Sequence, residues 1–217
     1  KPKRSIKQWG EEMSGYKTEQ EEFWAGQFGD DYTNRNQGSQ ILASNTALFA
    51  SIIDRTRQVE SVLEFGANRG LNLLALRNLL PAVELSAVEI NPKAVKELEA
   101  IKNLRIYQQS MLEFTVDYKR DLVLSKGVLI HIAPEMLPQA YRAMYEGSSR
   151  YICLVEYYNP TPVEIDYRGN EGKLFKRDFA GEMLDIYSDL SLLDYGFVYH
   201  RDNNFSQDDL TWFILSK

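Results

Sequence analysis

Two glycines and two carboxylates within residues 61–91 are spaced so that they could bind a nucleoside. Gly66 and Gly70 follow a short apolar run, and the absence of side chains at these positions lets a ligand approach the backbone. Glu64 lies within that run, two residues before Gly66. Glu89 lies roughly 20 residues further on, where nucleoside-binding α/β units place a carboxylate for ribose hydroxyls. The pattern predicts a strand, a glycine turn, a helix and a second strand that ends at Glu89.

The details of the turn favour a nucleoside without phosphates. A dinucleotide site has the pattern G-x-G-x-x-G, which brings a pyrophosphate to the helix N-terminus, whereas Asn68 occupies the middle glycine position here. Glu64 before the turn could face a cation. S-adenosylmethionine (SAM) combines a nucleoside, a sulfonium and an amino-acid tail, and therefore fits this pattern. A generic α/β turn is the alternative interpretation.

The elements around this unit alternate between strand and helix, which predicts an α/β fold with a parallel sheet and helices on both faces. Ligands of such sheets bind at the carboxyl ends of the strands. Strands are expected near 61–65, 84–89, 104–108, 121–125 and 151–157, and helices near 71–80, 92–101 and 134–146.

Further helices and strands are expected before and after this core. Residues 1–18 read as a loose leader, 18–27 as a helix with a capping box at Thr18 and Glu21, 28–36 as a polar loop, and 39–55 as a second helix. Residues 158–178 contain two prolines and two glycines, and they are expected to form a long excursion. A helix at 179–188 and strands at 192–200 and 209–216 close the chain.

Composition narrows the class of protein. A chain of 217 residues with 44% hydrophobic residues suits one domain with embellishments. A net charge of −6 argues against a nucleic-acid partner. No apolar run is long enough for a membrane span and no secretory signal opens the chain, so a cytoplasmic enzyme is expected. Cys153 reads as a buried small hydrophobe, and no residue spacing suggests a metal site.

The turn at Gly66 and the acidic strand end at Glu89 resemble motif I and the following strand of class I SAM-dependent methyltransferases. The rest of the chain, from about Glu21 onward, resembles the methylase family associated with pseudaminic acid biosynthesis. That resemblance rests on the segments EFWAGQFGDDYTNRN, DLVLSKGVLIHIAPE, EYYNPTPVEIDYRGNEGKLFKRDF and DYGFVYHRDNNFSQDDLTWF.

The resemblance implies a Rossmann-like fold with a seven-stranded, mostly parallel sheet in the order 3-2-1-4-5-7-6. It also implies SAM as cofactor, S-adenosylhomocysteine (SAH) as product and an association with surface-glycan pathways. The expected division of the chain is a leader and helical lid over residues 1–58 and a SAM-binding core over residues 59–217. The core would carry a substrate insertion at 158–178.

The expected cofactor site takes residues from the lid and from the strand ends. Glu64 would meet the methionine tail or cap the turn amides, and Glu89 would take the ribose diol. Trp24 could cover the cofactor or make plain core contacts, whereas Arg35 could pair with the cofactor carboxylate. The full expected set is Trp24, Tyr32, Arg35, Glu64, Gly66, Asn68, Gly70, Glu89, Ile90, Ser110, Met111, Lys126 and Gly127.

The expected catalytic residues follow the fourth and fifth strands. His131 could accept a proton or pack as a structural histidine, and Glu156 and Tyr157 could hold a polyhydroxylated or amine substrate or merely wall the pocket. Basic residues in the insertion suggest an anionic substrate, although a solvated loop paired with Glu171 and Asp178 is the alternative. The expected substrate-binding set is Tyr158, Asn159, Tyr167, Arg168, Lys173, Lys176 and Arg177.

The predicted function is methyl transfer from SAM to a small anionic metabolite, such as a nucleotide-activated or phosphorylated sugar precursor of a surface glycan. The residues leave two alternatives open. The same fold could consume SAM and release methylthioadenosine, or it could bind SAM without catalysis. Neither the acceptor atom, oxygen or nitrogen, nor the oligomeric state follows from the sequence.

Overall fold

The computed structural model describes residues 15–217, which form a seven-stranded sheet with helices on both faces. The sheet has the order β3-β2-β1-β4-β5-β9-β8, in which β1 to β5 run parallel and β9 runs antiparallel to both of its neighbours. Its strands are β1 (Ser61–Phe65), β2 (Glu84–Glu89), β3 (Leu104–Gln108), β4 (Arg120–Lys126), β5 (Ser148–Glu156), β8 (Ser191–Val198) and β9 (Leu210–Ser216).

The last two strands are the eighth and ninth along the chain, not the sixth and seventh as predicted, because a separate hairpin precedes them. This hairpin pairs β6 (Val163–Tyr167) with β7 (Asn170–Lys176) and occupies the segment that was expected to be an irregular excursion. The prediction of a loop was therefore wrong for this segment. The turn joins Tyr167 to Asn170 through two residues, Arg168 and Gly169, both with positive φ.

Helices cover both faces of the sheet and enclose two apolar cores. One core contains Phe49, Leu73 and Leu76, and the other contains Tyr141 and Met183, all of them buried. Because strands β1 and β5 lie between the two layers, their side chains are buried on both faces. The helices are α1 (Glu19–Ala25), α2 (Gln27–Arg35), α3 (Ser39–Ile53), α4 (Leu71–Leu79), α5 (Pro92–Leu98), α6 (Leu137–Gly147) and α7 (Phe179–Ile186).

Helix α2 replaces the polar loop predicted over residues 28–36. Gly29 allows the close approach of α1, since a Cβ there would lie 1.9 Å from the carbonyl oxygen of Trp24. The Thr33 hydroxyl donates to the Gly29 carbonyl oxygen at 2.9 Å. The side chain of Asn91 donates to the carbonyl oxygen of Trp24 at 3.1 Å and to Asp30 Oδ1 at 3.0 Å. Tertiary contacts therefore hold a helix that its polar sequence does not suggest.

The capping box predicted at the start of α1 is confirmed. The Glu21 amide donates to Thr18 Oγ1 at 3.1 Å, and the Thr18 amide donates to Glu21 Oε2 at 3.0 Å. Most of the predicted leader, residues 1–14, lies outside the described residues. The division of the chain at residue 58 stays a prediction. Among the described residues, no helix combines the length and the apolar character that crossing a membrane requires.

Candidate active site

A cleft opens at the carboxyl ends of β1, β2 and β4 and is roofed by α1 and α2. Its volume is about 1160 Å³, a figure that includes the open solvent at its mouth. On the side of the sheet, the cleft is lined by the residues that follow each of these strands. Those predicted as cofactor-binding that line the cleft are Trp24, Tyr32, Gly66, Asn68, Glu89, Ile90, Ser110, Met111, Lys126 and Gly127.

The turn after β1 presents its backbone to the cleft because of Gly66. This residue has φ +68°, and a Cβ at this position would lie 2.4 Å from Val128 Cγ2. Asn68 also has positive φ, at +46°, and its side-chain oxygen accepts a hydrogen bond from Thr33 at 3.0 Å. Gly70 lies outside the cleft lining and packs against Leu98 and Ile101. Only the first of the two glycines therefore faces the cleft.

Glu89 joins the turn after β1 to the end of β2. Its Oε2 accepts the Asn68 amide at 2.7 Å and its Oε1 accepts the Asn91 amide at 2.8 Å. Burial raises the pKa of Glu89, and these amides oppose that rise. A carboxylate held in this way can still accept bonds from a diol, since each oxygen has a further lone pair.

Glu64 lies beneath the cleft, fully buried and outside the lining residues. Its Oε1 accepts the side-chain amide of Asn72 at 2.6 Å, and Asn72 does line the cleft. Burial raises the pKa of Glu64 to about 8, against the influence of Asn72 and Lys126. Desolvation lowers the pKa of Lys126, against the influence of Glu64, Asp208 and Glu156. The two titratable groups are buried within electrostatic reach of each other, near the carboxyl ends of β1 and β4.

Three buried polar atoms of cleft-lining residues have no hydrogen-bond partner within residues 15–217. They are Trp24 Nε1, Asn45 Oδ1 and Asn72 Oδ1. Buried polar groups are normally bonded, so unpartnered atoms in a cleft are the groups that a polar ligand would satisfy. One donor and two acceptors suit the mixed donor and acceptor set of an amino acid and a nucleoside. The residues present therefore fit SAM.

His131 faces the cleft from a short 3₁₀ turn, Leu129–His131, that follows β4. Its Nδ1 lies 2.6 Å from the Lys173 carbonyl oxygen, so Nδ1 carries the proton and Nε2 is left as an acceptor. Its ring centroid lies 4.5 Å from that of Trp24 and 4.9 Å from that of Tyr167. Burial lowers the pKa of His131 to about 4, so the ring is neutral at pH 7.

The other two residues predicted as catalytic do not line the cleft. Glu156 is buried, and its Oε1 accepts the Ser125 hydroxyl at 2.7 Å and the Val128 and Leu129 amides at 3.1 Å each. It thereby fixes the segment after β4, and burial raises its pKa to about 7 against these bonds. The Tyr157 hydroxyl donates to Asp208 Oδ2 at 3.0 Å.

None of the residues predicted to bind substrate lines the cleft. The Tyr167 ring stands beside Phe28 at 5.6 Å and beside His131. Tyr158 is exposed and lies near Phe213, and Asn159 bonds Thr161. The basic side chains of this set are Arg168, Lys173, Lys176 and Arg177.

Sequence reasoning missed several cleft-lining polar residues, including Asn45, Asn72 and Thr33. Asn72 is a polar residue within the apolar stretch 71–76 of α4, and Asn45 interrupts an apolar helix face, so buried polarity was the available signal. Asp208 had no such signal, because only the final hairpin brings it to Tyr157.

Arg35, expected at the cofactor, lies outside the lining. Within residues 15–217 no three His, Cys, Asp or Glu side chains are grouped to hold a metal ion.

Comparison with known proteins identifies the fold. No family model and no curated protein matches the chain. The solved structure of Burkholderia thailandensis 1,6-didemethyltoxoflavin-N1-methyltransferase, with 1,6-didemethyltoxoflavin and SAH bound, is similar at a TM-score of 0.67 and 14% identity. This match covers 91% of this chain and 86% of the other.

Two further solved structures agree with that comparison. SAM-bound CalS10, an amino pentose methyltransferase from Micromonospora echinaspora, matches at a TM-score of 0.60 and 12% identity, covering 87% of this chain and 95% of the other. SAM-bound magnesium protoporphyrin IX methyltransferase from Synechocystis PCC 6803 matches at a TM-score of 0.61 and 14% identity, covering 91% of this chain and 94% of the other. The resemblance to the pseudaminic acid-associated family stays a prediction. The chain has the Rossmann-like fold of class I SAM-dependent methyltransferases.

Proposed function

We propose that this chain is a SAM-dependent methyltransferase that acts on a small anionic metabolite, a nucleotide-activated or phosphorylated sugar precursor of a surface glycan. The observation that carries the proposal is the cleft that joins the Gly66 turn, Glu89 and Lys126 at the carboxyl ends of three parallel strands. Solved proteins of this fold hold SAM or SAH, and one of them is an amino pentose methyltransferase.

The cofactor assignment follows the chemistry of the cleft wall. Glu89 would accept bonds from the ribose diol. Ile90 and Met111 would enclose the adenine, with Ser110 at its edge. The backbone at Gly66, Asn68 and Gly127 would approach the amino-acid tail closely. That tail would meet one cation, on Lys126, and two side-chain amide oxygens, on Asn45 and Asn72. Bound SAM would supply an electrophilic methyl group on a sulfonium.

The protein's part in the reaction would be alignment and exclusion of water. Trp24, His131 and Tyr167 stand together above the cleft and form a wall of aromatic rings against solvent. A neutral His131 can accept a hydrogen bond from an acceptor hydroxyl or amine through Nε2, and so orient its lone pair. With a pKa of about 4 it is a weak base at pH 7, so orientation rather than proton removal would be its role.

An anionic acceptor is supported by charge. The net charge of the chain is −6, yet the hairpin β6–β7 and its flank carry Arg168, Lys173, Lys176 and Arg177 beside the cleft. The same segment carries Glu164, Asp166, Glu171 and Asp178, so the attraction for an anion would come from individual basic side chains and not from a net positive surface. The alternatives that release methylthioadenosine, or bind SAM without turnover, have no residue in the cleft that favours them over methyl transfer.

The test is mass spectrometry of the protein incubated with SAM and a bacterial extract enriched in sugar nucleotides. We expect SAH together with a new species heavier by one methylene. Glu89→Ala should abolish both, whereas Glu99→Ala, which removes an exposed carboxylate beyond α5, should change neither. Methylthioadenosine, or consumption of SAM without an acceptor, would refute the proposal.

A further inference from the structure

The basic residues beside the cleft differ in whether an acidic partner already neutralises them. Lys173 Nζ lies 3.3 Å from Glu19 Oε2, and Arg177 Nε lies 2.7 Å from Glu182 Oε1. Lys176 Nζ lies 5.0 Å from the centroid of the Tyr157 ring, on the far side of the hairpin from its turn. Two of these charges therefore serve internal ion pairs and are poor candidates for binding a ligand.

Arg35 and Arg168 have no carboxylate within 4.0 Å among residues 15–217, and both are exposed. Each guanidinium lies beside an aromatic ring, Arg35 at 5.7 Å from the Phe28 centroid and Arg168 at 5.9 Å from the Tyr167 centroid. Those two rings are 5.6 Å apart. The last turn of α2 and the tip of the hairpin thus bring two unpaired cations to one aromatic pair.

The phenols at the cleft mouth are within the electrostatic reach of both arginines. Burial raises the pKa of Tyr32 to about 12, and Arg168 and Arg35 oppose that rise. Burial also raises the pKa of Tyr167, again against Arg168 and Arg35. Tyr32 lines the cleft, and the Tyr167 ring lies 4.9 Å from that of His131, which also lines it, so the two guanidinium groups lie close to the cleft although neither is part of its lining.

The backbone at Arg168 indicates that the turn itself does not require this side chain. Arg168 and Gly169 have φ of +55° and +81° in a two-residue antiparallel hairpin, the geometry of a type I′ turn. Asn is the residue that such a turn prefers at the first position, since its side chain tolerates the left-handed region better than a long one does. Arginine here is unfavourable for the local backbone, so the preference of the turn does not explain this side chain.

We propose that Arg35 and Arg168 together clamp the phosphate of the methyl acceptor at the mouth of the cleft. Guanidinium forks bind phosphate oxygens in bidentate fashion, and these two come from different elements, the last turn of α2 and the tip of the hairpin, each beside an aromatic ring. Arg35 thereby belongs to the acceptor and not to the cofactor, whose tail faces Asn45, Asn72 and Lys126. This inference rests on the proposed function, because it names the chemical group that the acceptor carries.

The experiment is calorimetric titration of inorganic pyrophosphate into the SAH-saturated protein. Pyrophosphate is the probe because it offers the phosphate oxygens without a base or a sugar. We expect binding by the natural sequence, and at least tenfold weaker binding by Arg35→Gln and by Arg168→Asn. The latter keeps the residue that the turn prefers, so its thermal midpoint should not fall. Arg142→Gln removes an equal charge from an exposed site on α6 and should leave binding unchanged.

Three outcomes would overturn the clamp. They are absence of pyrophosphate binding, an equal loss in Arg142→Gln, or a loss of SAH affinity in Arg35→Gln that returns this residue to the cofactor. The proposed function would be refuted by a different result, namely that the protein of natural sequence binds neither SAM nor SAH. SAH affinity measured in the same titrations distinguishes the two failures.

Discussion

Gly66→Ala would test the geometry of the turn after β1, because the new methyl group meets a known neighbour. At φ +68° an alanine costs about 1–2 kcal/mol in the left-handed region. Its Cβ would lie 2.4 Å from Val128 Cγ2 and 3.1 Å from Cγ1, and over-packing of this kind costs about 1–3 kcal/mol. We expect a total loss of about 2–5 kcal/mol in the free energy of unfolding.

A double-mutant cycle with Val128→Ala separates the two costs. Val128→Ala removes both Cγ atoms, so it relieves the clash and leaves the backbone cost in place. The coupling energy from urea unfolding of the four proteins should therefore be about 1–3 kcal/mol in the stabilising direction. A coupling energy within about 0.5 kcal/mol of zero is ordinary additivity, and it would refute the contact between residues 66 and 128.

Three further predictions concern the buried titratable groups. Glu89→Gln replaces one acceptor oxygen with an NH₂ donor that faces a backbone amide donor. The affinity for SAH, measured by calorimetry, should therefore fall about tenfold or more. An unchanged affinity would contradict the role of Glu89. For His131, the unfolded chain binds a proton near pH 6.5 and the folded chain only near 4, so this group lowers stability as pH drops through that window, whereas the raised pKa values of Glu64 and Glu156 act in the opposite direction. His131→Asn should therefore raise the urea midpoint at pH 4.5 relative to that at pH 7.5, compared with the natural sequence, and an unchanged difference between the two midpoints would contradict the shift. Glu64, with a pKa of about 8, should release a proton when cationic SAM binds. Calorimetry in buffers of different ionisation enthalpy would measure that release. Glu64→Gln should abolish the proton release, and a release that persists in this variant would assign the proton to another group.

Much of the central sheet could be predicted from the sequence, because β1 and β2 are short apolar runs and each is followed by a helix with a clear start. Proline at 92 and glycine at 70 mark two of those starts. The position of the cleft followed from the same pattern, since carboxyl ends of parallel strands meet at one edge. This is why Gly66, Glu89 and Lys126 were correctly expected to lie near one another.

The remaining structure depends on contacts between distant segments. Helix α2 is polar, and the approach of Gly29 to Trp24 and the side chain of Asn91 secure it. Glu156 ends its strand at the predicted edge, but its carboxylate turns toward the amides after β4, and strand periodicity does not reveal that choice. The hairpin turn at Arg168 lacks the Asn-Gly signal by which such turns are recognised.

The contact of Trp24 with His131 and Tyr167 has a kinetic consequence. Helix α1 and the hairpin meet through these rings, and Trp24 and His131 line the cleft, so we expect a nucleoside bound behind them to leave when the rings separate. An acceptor that occupies the mouth blocks the same path. Substrates should therefore bind in a compulsory order, nucleoside first, and the methylated product should depart before SAH. Product-inhibition patterns would show this order, with SAH competitive against SAM and noncompetitive against the acceptor.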